Sequence, residues 1–406
     1  MGRARVIVIG AGSTGAATAH DLALRGVDVT VVERGEIASG TTGRNHCLLH
    51  SGGRYCVTDQ EAGTECIDEN LVLRRIMPDL LELNDGLFVA TNDEELAYMD
   101  GFLASCDRCH IPARPLSRRE ALEAEPFLTP DVLAAVQVPD GVFEPYRFCL
   151  AFLATALANG AQIRTFTEVV DLVTSGGSVS GVQVVDRRTG TRSTLGADVV
   201  INAGGPWAER LASMASVDVP VAPTPGVMVT VGRRLNNMVI NRLNTPSDGD
   251  IVVPQRTTSI IGTTSWSVDD PDFIPIPPDH VALLIERGQS LIPAVASTPI
   301  RGVMAASRPL ISRPGIDARD VSRTFECFDH EPEGMDGFVT ISGGKTTTAR
   351  AMAEKVTDIV CDKLGIDAEC RTSEVPLDSY RRFHGRGSAA RATAPGSTTL
   401  QPMRAP

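Results

Sequence analysis

The sequence predicts an α/β protein in which a discontinuous Rossmann-like dinucleotide-binding domain carries an inserted, β-sheet-rich domain. Three observations lead to this prediction. A glycine-rich turn joins a strand to a helix at the start of the chain. Further strand and helix patterns recur at 148–202 and 337–364. The segments between these stretches are richer in proline and in alternating strand patterns, which is typical of a separate sheet.

The first βαβ unit is the clearest part of the pattern. Residues 4–9 predict a buried strand, residues 16–25 a helix and residues 28–32 a second strand. The sequence GAGSTG at 10–15 joins the first strand to the helix, and Glu33 follows the second strand. Together these parts match a dinucleotide-binding fingerprint, whereas G-x-G-x-x-G alone is weak evidence.

Each residue of the fingerprint has a physical reason. Gly10 permits the tight turn, Gly12 lets the backbone approach a pyrophosphate, and Gly15 lets helix and strand pack closely. The helix N-terminus offers N–H groups to phosphates, and Glu33 can accept hydrogen bonds from ribose hydroxyls. The alternative is a glycine-rich turn that binds no ligand.

Later elements repeat the alternation of strands and helices. We predict helices at 148–158 and 347–364 and strands at 161–165, 168–173, 179–185, 198–202 and 337–342. The resulting domain boundaries assign 1–86, 139–219 and 306–378 to the dinucleotide-binding domain, 87–138 and 220–305 to the substrate domain, and 379–406 to a tail. The tail carries five arginines and no acid, and its low apolar content predicts disorder.

Composition limits the classes of function. The 406 residues suffice for two or three domains at roughly 100–200 residues each. A formal net charge of −12 argues against a general nucleic-acid binder. No apolar run approaches the ~20 residues that span a bilayer, and no cleavage-type site follows the N-terminal arginines. We therefore predict a cytoplasmic protein whose nine scattered cysteines are reduced.

Cys106, Cys109 and His110 have the spacing of a covalent haem-attachment site. No export signal accompanies them, and no second ligand pair stands nearby to complete a zinc site. We interpret the two cysteines as thiols one helical turn apart, and we predict no metal site.

A polar, glycine-rich segment follows the second strand, where a nicotinamide-binding fold would begin its next helix. Residues 40–55 contain two histidines and two arginines, His46, His50, Arg44 and Arg54. Such a segment can follow a long cofactor and place side chains over its reactive ring.

With this segment in view, residues 4–375 resemble the A-subunit family of anaerobic glycerol-3-phosphate dehydrogenases, within the D-amino-acid-oxidase-like flavoprotein superfamily. The matching pieces are GAGSTG at 10–15, ALRG at 23–26, VERGEIASGTTGRNH at 32–46, LLHSGGRY at 48–55, VTD at 57–59, ECIDEN at 65–70, VPDG at 138–141, VINR at 239–242, PSDGDIVVP at 246–254, IIGTTS at 260–265, RPL at 308–310, DGFVTISGGK at 336–345 and MAE at 352–354.

The resemblance implies FAD as the cofactor. The glycines would hold the pyrophosphate, Glu33 the adenosine ribose, and the turn at 343–346 the pyrimidine end of the flavin. The implied cofactor contacts are Gly10, Gly12, Ser13, Thr14, Gly15, Glu33, Arg34, Thr41, Thr42, Arg44, Asn45, His46, Leu48, Leu49, Val169, Ala203, Gly204, Trp207, Gly343, Gly344, Lys345, Thr346 and Thr347.

The resemblance also implies a substrate site. The implied substrate-binding residues are Arg54, Tyr55, Arg308, Arg323 and Lys345, and the implied catalytic residues are His50, Arg308 and Lys345. These residue types suit the chemistry, because a phosphomonoester is a dianion that needs fixed cations and histidine is a fair general base near neutrality. Structural alternatives remain open for most of these residues: a loop hydrogen bond for His50, an ion pair with an acid of the inserted domain for Arg54, and a purely structural role for Arg308, Arg323 and Lys345. For Trp207 the alternative is packing.

The implied function is FAD-dependent oxidation of sn-glycerol 3-phosphate to dihydroxyacetone phosphate, with hydride passing from substrate C2 to flavin N5. Electrons would leave to an electron-accepting subunit or to a quinone at the membrane surface, with the protein peripheral on its inner face. The alternatives are an oxidase or dehydrogenase of another polyol phosphate or 2-hydroxy acid, and a non-catalytic subunit that binds flavin.

Two departures from the family pattern concern the substrate and the electrons. The family has lysine where this chain has Pro225, and Gly-Val where this chain has Ala306 and Ser307. Members of the family also continue into a cysteine-rich iron–sulfur-binding module, whereas a cysteine-free tail stands here. We therefore expect FAD, no iron–sulfur centre, and a substrate that the motifs alone leave open.

Overall fold

The computed structural model describes residues 3–312 and 322–385. The α-helices in these residues are α1 (Ser13–Leu24), α2 (Gln60–Ile76), α3 (Asp93–Arg108), α4 (Arg118–Ala124), α5 (Pro145–Ala158), α6 (Ala208–Ser213), α7 (Pro278–Leu291) and α8 (Ala349–Leu364). The strands are β1 (Arg5–Ile9), β2 (Asp28–Val32), β3 (Leu48–Leu49), β4 (Leu81–Glu82), β5 (Gly86–Ala90), β6 (Arg114–Ser117), β7 (Ala134–Val138), β8 (Gly141–Phe143), β9 (Gln162–Arg164), β10 (Thr167–Ser175), β11 (Ser178–Asp186), β12 (Arg192–Gly196), β13 (Val199–Asn202), β14 (Val221–Val231), β15 (Val239–Arg242), β16 (Ile251–Gln255), β17 (Thr258–Gly262), β18 (Ile300–Ile311), β19 (Phe325–Asp329) and β20 (Phe338–Gly343).

A six-stranded sheet forms the centre of the dinucleotide-binding part, in the order β19-β20-β13-β1-β2-β9. All of its pairings are parallel except that between β19 and β20. Helices α1, α5 and α8 bury one face in a shared apolar cluster, and the sheet β10-β11-β12 covers part of the other face together with α6. The predicted α/β class with a Rossmann-like unit is therefore confirmed.

Helix α1 begins at Ser13, three residues before the predicted start. The chain already turns into the helix after Gly10, whose φ of +106° only glycine adopts freely. Gly15 lies inside the first turn, and a Cβ there would stand 2.0 Å from the Gly10 carbonyl oxygen. The close packing of helix and turn thus explains both the early start and the third glycine of the motif.

A second sheet of eight strands runs β18-β14-β17-β16-β15-β5-β7-β6. Its strands come from 86–138 and 221–311, so the inserted sheet that the sequence predicts is present. Helix α7 packs Leu284 and Leu291 into its core. Strand β18 continues to Ile311, so the predicted boundary at 305 falls within one strand and the segment with Arg308 belongs to this sheet.

The small sheet β3-β8-β4 fixes the polar segment between the two larger sheets. Its strand β3 has two buried leucines that alternate between two cores. Leu49 joins the core under the six-stranded sheet, and Leu48 joins the cluster that includes Val142 and Met228. His50 follows directly and is therefore held between the two sheets.

The predicted disordered tail begins with residues that the structure describes. Tyr380 and Phe383 pack against the core of the dinucleotide-binding part, so disorder is not correct for 379–385. Residues 386–406 of that prediction lie outside the described residues. Across 3–312 and 322–385, no helix combines the length and apolar character needed to cross a bilayer.

Candidate active site

One cleft of about 1180 Å³ brings the predicted site residues together. It opens at the carboxyl ends of the parallel strands β1, β2, β13 and β20, where α/β folds bind their ligands. Of the predicted site residues, Gly15 and Leu49 do not line it, since Gly15 packs against the turn and Leu49 points into the core. All of the other predicted site residues contribute to its wall.

The dinucleotide end of the cleft, which we define by Gly10, Gly12 and Glu33, is shaped by backbone. A Cβ on Gly10 would lie 2.6 Å from the Ala203 carbonyl oxygen, and one on Gly12 would lie 3.1 Å from Thr42 Oγ1. The Ser13 N–H at the start of α1 donates to the Thr42 hydroxyl at 3.0 Å. A narrow groove floored by backbone, with a helix N-terminus aimed into it, fits a pyrophosphate.

Glu33 is held rigidly at the end of β2. One carboxylate oxygen accepts the Ala11 N–H at 2.9 Å, and the other accepts the Gly35 N–H at 2.8 Å. Each oxygen keeps a free lone pair, so the carboxylate can still accept hydrogen bonds from ribose hydroxyls. Its position along the cleft wall suits the role that the motif predicts.

A charged cluster beside this end was missed by the sequence analysis. Asp272, in the loop between β17 and α7, accepts hydrogen bonds from Arg34 Nη2 at 2.8 Å, Trp207 Nε1 at 2.9 Å and Arg210 Nη1 at 2.7 Å. The Arg34 guanidinium also stacks 4.1 Å from the Trp207 ring. The Trp207 ring therefore packs against Arg34 while its N–H donates to Asp272. These contacts tie the loop from the second sheet to the dinucleotide end.

Two segments meet at the middle of the cleft. Asn45 Nδ2 donates to the Thr42 carbonyl at 2.9 Å and to Thr346 Oγ1 at 3.3 Å. The His50 N–H donates to Thr347 Oγ1 at 3.2 Å. The polar segment predicted to follow a long cofactor is thus joined to the turn at 343–347.

The substrate end of the cleft, which we define by His50, Arg54, Arg308 and Lys345, concentrates positive charge. Arg308 donates to the Thr224, Pro225 and Thr264 carbonyls and to Thr263 Oγ1, at 2.5 to 3.3 Å. Burial, together with the neighbouring Arg323, lowers the pKa of Arg308 to about 10. These contacts are with neutral groups, so the guanidinium is fixed while its charge stays available for an anion.

Arg54 approaches the same end from the other side. Its Nη2 donates to the Ser247 carbonyl at 2.8 Å, and its Nη1 lies 3.8 Å from the buried carboxylate of Asp250. The alternative of an ion pair with an acid of the inserted domain is therefore realised, and Arg54 lines the cleft nonetheless. Asp250 also accepts from the Ser247 N–H and hydroxyl, which shapes the loop around Arg54.

Lys345 and Arg323 complete the cluster of cations. Lys345 Nζ donates to the Arg323 carbonyl at 2.7 Å and lies 5.1 Å from the centre of the Tyr55 ring. Arg323 Nη1 is buried and has no hydrogen-bond partner among the described residues, and burial lowers the pKa of this guanidinium. A buried, unpaired N–H donor costs free energy unless a ligand accepts from it.

Both histidines of the cleft are neutral at neutral pH. Burial, followed by the charges of Arg308 and Arg54, lowers the pKa of His46 to about 3. Burial, followed by His46, Lys345 and Arg54, holds the pKa of His50 well below its ordinary value. The His50 ring packs 5.3 Å from Tyr55 and 5.6 Å from His46. A neutral imidazole can accept a proton. These two imidazoles, however, become protonated only below the near-neutral pH range in which an ordinary histidine titrates.

Polar residues outside the predicted site set also line the cleft. Asp248, Thr263 and Arg210 belong to loops of the second sheet or to α6, far along the chain from their neighbours in the cleft. Cys106 and Cys109 lie at the end of α3, as the one-turn spacing predicts. No group of three or more His, Cys, Asp or Glu in the described part of the chain could hold a metal ion.

This fold and cleft define a flavoprotein class, and comparison with known proteins agrees. The family model described as FAD dependent oxidoreductase matches residues 5–358, and the chain belongs to that family. The cofactor is therefore FAD, which the glycine groove, the α1 N-terminus and Glu33 fit.

Within the class, the chain is most usefully compared with two curated relatives. It is 44% identical to the A1 subunit of anaerobic glycerol-3-phosphate dehydrogenase from Haloferax volcanii, over 93% of this chain and 67% of the relative. It is 42% identical to the A subunit of the Escherichia coli K12 enzyme, over 92% of this chain and 69% of the relative. The resemblance that the motifs predict is confirmed.

Solved structures share the fold. A glycerol-3-phosphate dehydrogenase from Bacillus halodurans complexed with FAD superposes with a TM-score of 0.72 at 24% identity, over 96% of this chain and 72% of that one. An L-α-glycerophosphate oxidase from Mycoplasma pneumoniae with FAD bound gives 0.73 at 21% identity, over 93% of this chain and 100% of that one. At these identities the likeness establishes the fold alone.

Proposed function

We propose that this chain oxidises sn-glycerol 3-phosphate to dihydroxyacetone phosphate with FAD. The observation that carries the proposal is the convergence of Arg54, Arg308, Arg323 and Lys345 around His50 at one end of the cleft. A phosphomonoester dianion needs two or more fixed cations, and a secondary alcohol needs a proton acceptor beside it. The names of the relatives, glycerol-3-phosphate dehydrogenases, support the same substrate.

The division of labour follows from charge. Bound FAD supplies an acceptor for the hydride that leaves substrate C2. Arg54 and Arg308 bind the phosphate, and each is held by carbonyl oxygens that fix its direction. His50, which is neutral at neutral pH, accepts the hydroxyl proton, while Lys345 stabilises negative charge on the substrate oxygen.

The electrons then leave through another component. The relatives are described as A subunits, which supports assembly of this chain with a further subunit that accepts electrons. A quinone reached at the inner face of the membrane is the second route, with the chain bound there peripherally. Mixing the reduced protein with a soluble quinone, without any partner subunit, separates the two routes, because direct reoxidation requires only the quinone.

The decisive experiment is anaerobic reduction of the bound flavin by a panel of alcohols. We expect glycerol 3-phosphate to bleach the flavin absorbance, and glycerol to fail at the same concentration because it lacks the dianion. No bleaching by any alcohol would overturn the proposal and favour a non-catalytic subunit that binds flavin.

A second substrate class is favoured by one feature of the site. Pro225, which stands where the family has lysine, offers its carbonyl to Arg308 at 3.2 Å. The neighbouring Ser307 carbonyl accepts from Thr41 Oγ1 at 2.5 Å. The departures from the family pattern thus lie on the strands that hold the phosphate-binding arginine. Faster bleaching by another polyol phosphate, or by a 2-hydroxy acid, would assign that substrate instead.

A further inference from the structure

Glu65 on α2 has a buried carboxylate oxygen that finds no hydrogen-bond partner in the described part of the chain. This atom, Oε2, lies 3.9 Å from the Nζ atom of Lys345. The Lys345 side chain is only 9% exposed. A carboxylate oxygen removed from water is costly unless a charge compensates it. Lys345 is the cation that lies within ion-pair distance of it.

Another glutamate on the same helix, Glu69, is fully paired, unlike Glu65. Glu69, one turn further along α2, accepts from Arg350 Nε at 2.9 Å and from Arg350 Nη2 at 2.5 Å. Arg350 is in turn held by Glu354 and Thr372. Glu69 is therefore saturated by a bidentate partner, whereas Glu65 meets a lysine whose strongest bond goes elsewhere, to the Arg323 carbonyl.

The groups around Glu65 set its charge. Burial, opposed by Lys345 and reinforced by Glu61, Asp59 and Glu69, raises the pKa of Glu65 to about 7. The thiol of Cys66 and the ring of Tyr55 also face Lys345, and burial raises the pKa of Cys66 to about 12. Arg323 and Arg350 are the other cations nearby, and Arg350 is committed to Glu69. The ionised carboxylate of Glu65 thus has the Lys345 ammonium as its counter-charge.

We propose that Glu65 is a positioning residue for Lys345, whose ammonium it holds in place from behind the cleft when its carboxylate is ionised. This inference rests on the proposed function in one respect, which is that Lys345 stabilises negative charge on the substrate oxygen. Above neutrality the pair is formed and the ammonium is fixed beside Tyr55 and the Arg323 carbonyl. Below it, Glu65 is protonated, and Lys345 loses its counter-charge.

The first test observes Lys345 directly and needs no turnover. The sequence contains only three lysines, so the FAD-loaded full chain with ¹³C at lysine Cε gives three signals, and Lys345→Arg identifies one of them. We expect that signal to shift in a step centred near pH 7 in the wild type and to lose the step in Glu65→Gln. Asp68→Asn, which removes an exposed carboxylate from the same helix, should keep it. A step that survives in Glu65→Gln would overturn the proposal.

The second test uses the anaerobic reduction of the flavin by glycerol 3-phosphate. We expect the wild-type rate to rise through neutral pH, and Glu65→Gln to remain about tenfold slower at pH 8 with that rise removed. Glu65→Asp, which keeps the charge, should restore part of the rise, and FAD retention should be equal in all variants. An unbleached wild-type flavin counts against the proposed function, whereas normal bleaching with an unchanged Glu65→Gln profile counts against the role of Glu65.

Discussion

The positively charged side chains at the two ends of the cleft have different partners. At the dinucleotide end, Arg34 and Arg210 share the carboxylate of Asp272, and Arg210 also pairs with Asp270, so two acids balance the two arginines. At the substrate end, Arg54 and Lys345 each lie near an acid, at 3.8 Å from Asp250 and 3.9 Å from Glu65. Arg308 donates to carbonyl and hydroxyl oxygens alone among its hydrogen bonds in the described residues. Neutral acceptors fix the direction of a cation without cancelling its charge.

The arginines at the dinucleotide end stabilise the fold, whereas the cations at the substrate end can bind an anionic ligand. The arginines near Asp272 tie a loop of the second sheet to the first, and each Glu33 carboxylate oxygen keeps a lone pair for the cofactor. The cations at the substrate end keep an excess of positive charge that a dianion can neutralise. Variants at the two ends should therefore affect different ligands.

The largest expected effect comes from Gly15→Ala, because the new Cβ would lie 2.0 Å from the Gly10 carbonyl oxygen. Backbone must shift to relieve this clash, at about 1–3 kcal/mol or more in the free energy of unfolding, and the groove should lose FAD. Thermal unfolding and the flavin released on gel filtration measure both effects. Gly101→Ala is the control, since nothing lies within 4 Å of that position and a helix favours alanine. An FAD-loaded Gly15→Ala protein of normal stability would refute the packing argument.

The next largest effect is expected for His50→Ala, which should slow flavin reduction by about 10²–10⁴ if His50 is the general base. Because its pKa lies well below the ordinary value, the neutral form prevails at pH 7 and the rate should fall only at acid pH. The pH profile near neutrality should therefore persist in His50→Ala, in contrast to what an ordinary histidine would give. Rapid mixing under anaerobic conditions decides this, and a wild-type rate would make His50 structural.

Replacing one arginine at each end with alanine, in separate variants, tests whether the two ends bind different ligands. Arg54→Ala should raise the substrate KM about ten- to a hundredfold, because a charge-assisted contact is worth about 1.5–3 kcal/mol. It should leave FAD retention unchanged. Arg34→Ala should do the reverse, weakening FAD retention with the KM preserved. If both variants affect the same ligand, the two ends are not independent.

The smallest effect is expected for Glu33→Gln, which keeps one carbonyl oxygen to accept a backbone N–H. Loss of a hydrogen bond of about 0.5–1.5 kcal/mol should weaken FAD binding up to about tenfold. Glu33→Ala should weaken it further, since the Ala11 and Gly35 N–H groups would both lose their acceptor. Fluorescence titration of the apoprotein with FAD measures the series, and FAD affinity that does not change along it would contradict the role of Glu33.

Local sequence could predict the dinucleotide end but not the partners of the substrate end. The turn at 10–15, its flanking strands and Glu33 lie within one βαβ unit, so spacing alone encodes their geometry. Asp250, Asp272 and Glu65 act through residues far away in the chain, and no periodicity indicates those pairs. The neutral state of His50 likewise depends on burial by both sheets. The substrate-end cations themselves were found through the family resemblance and not from spacing.

The two leucines of β3 have a consequence for how this chain can change in length. Successive side chains of a strand face opposite sides, so one inserted or deleted residue would exchange Leu48 and Leu49 between their cores. The same shift would turn His50 away from the cleft. A substitution at one leucine alters the packing at one position, whereas a change in residue number moves every side chain that follows. The hairpin turn at 188–190, which joins β11 to β12, is exposed, and a Cβ on Gly190 would have nothing within 4 Å. Homologous chains should thus vary in length at that hairpin while keeping a fixed count from Gly40 to His50.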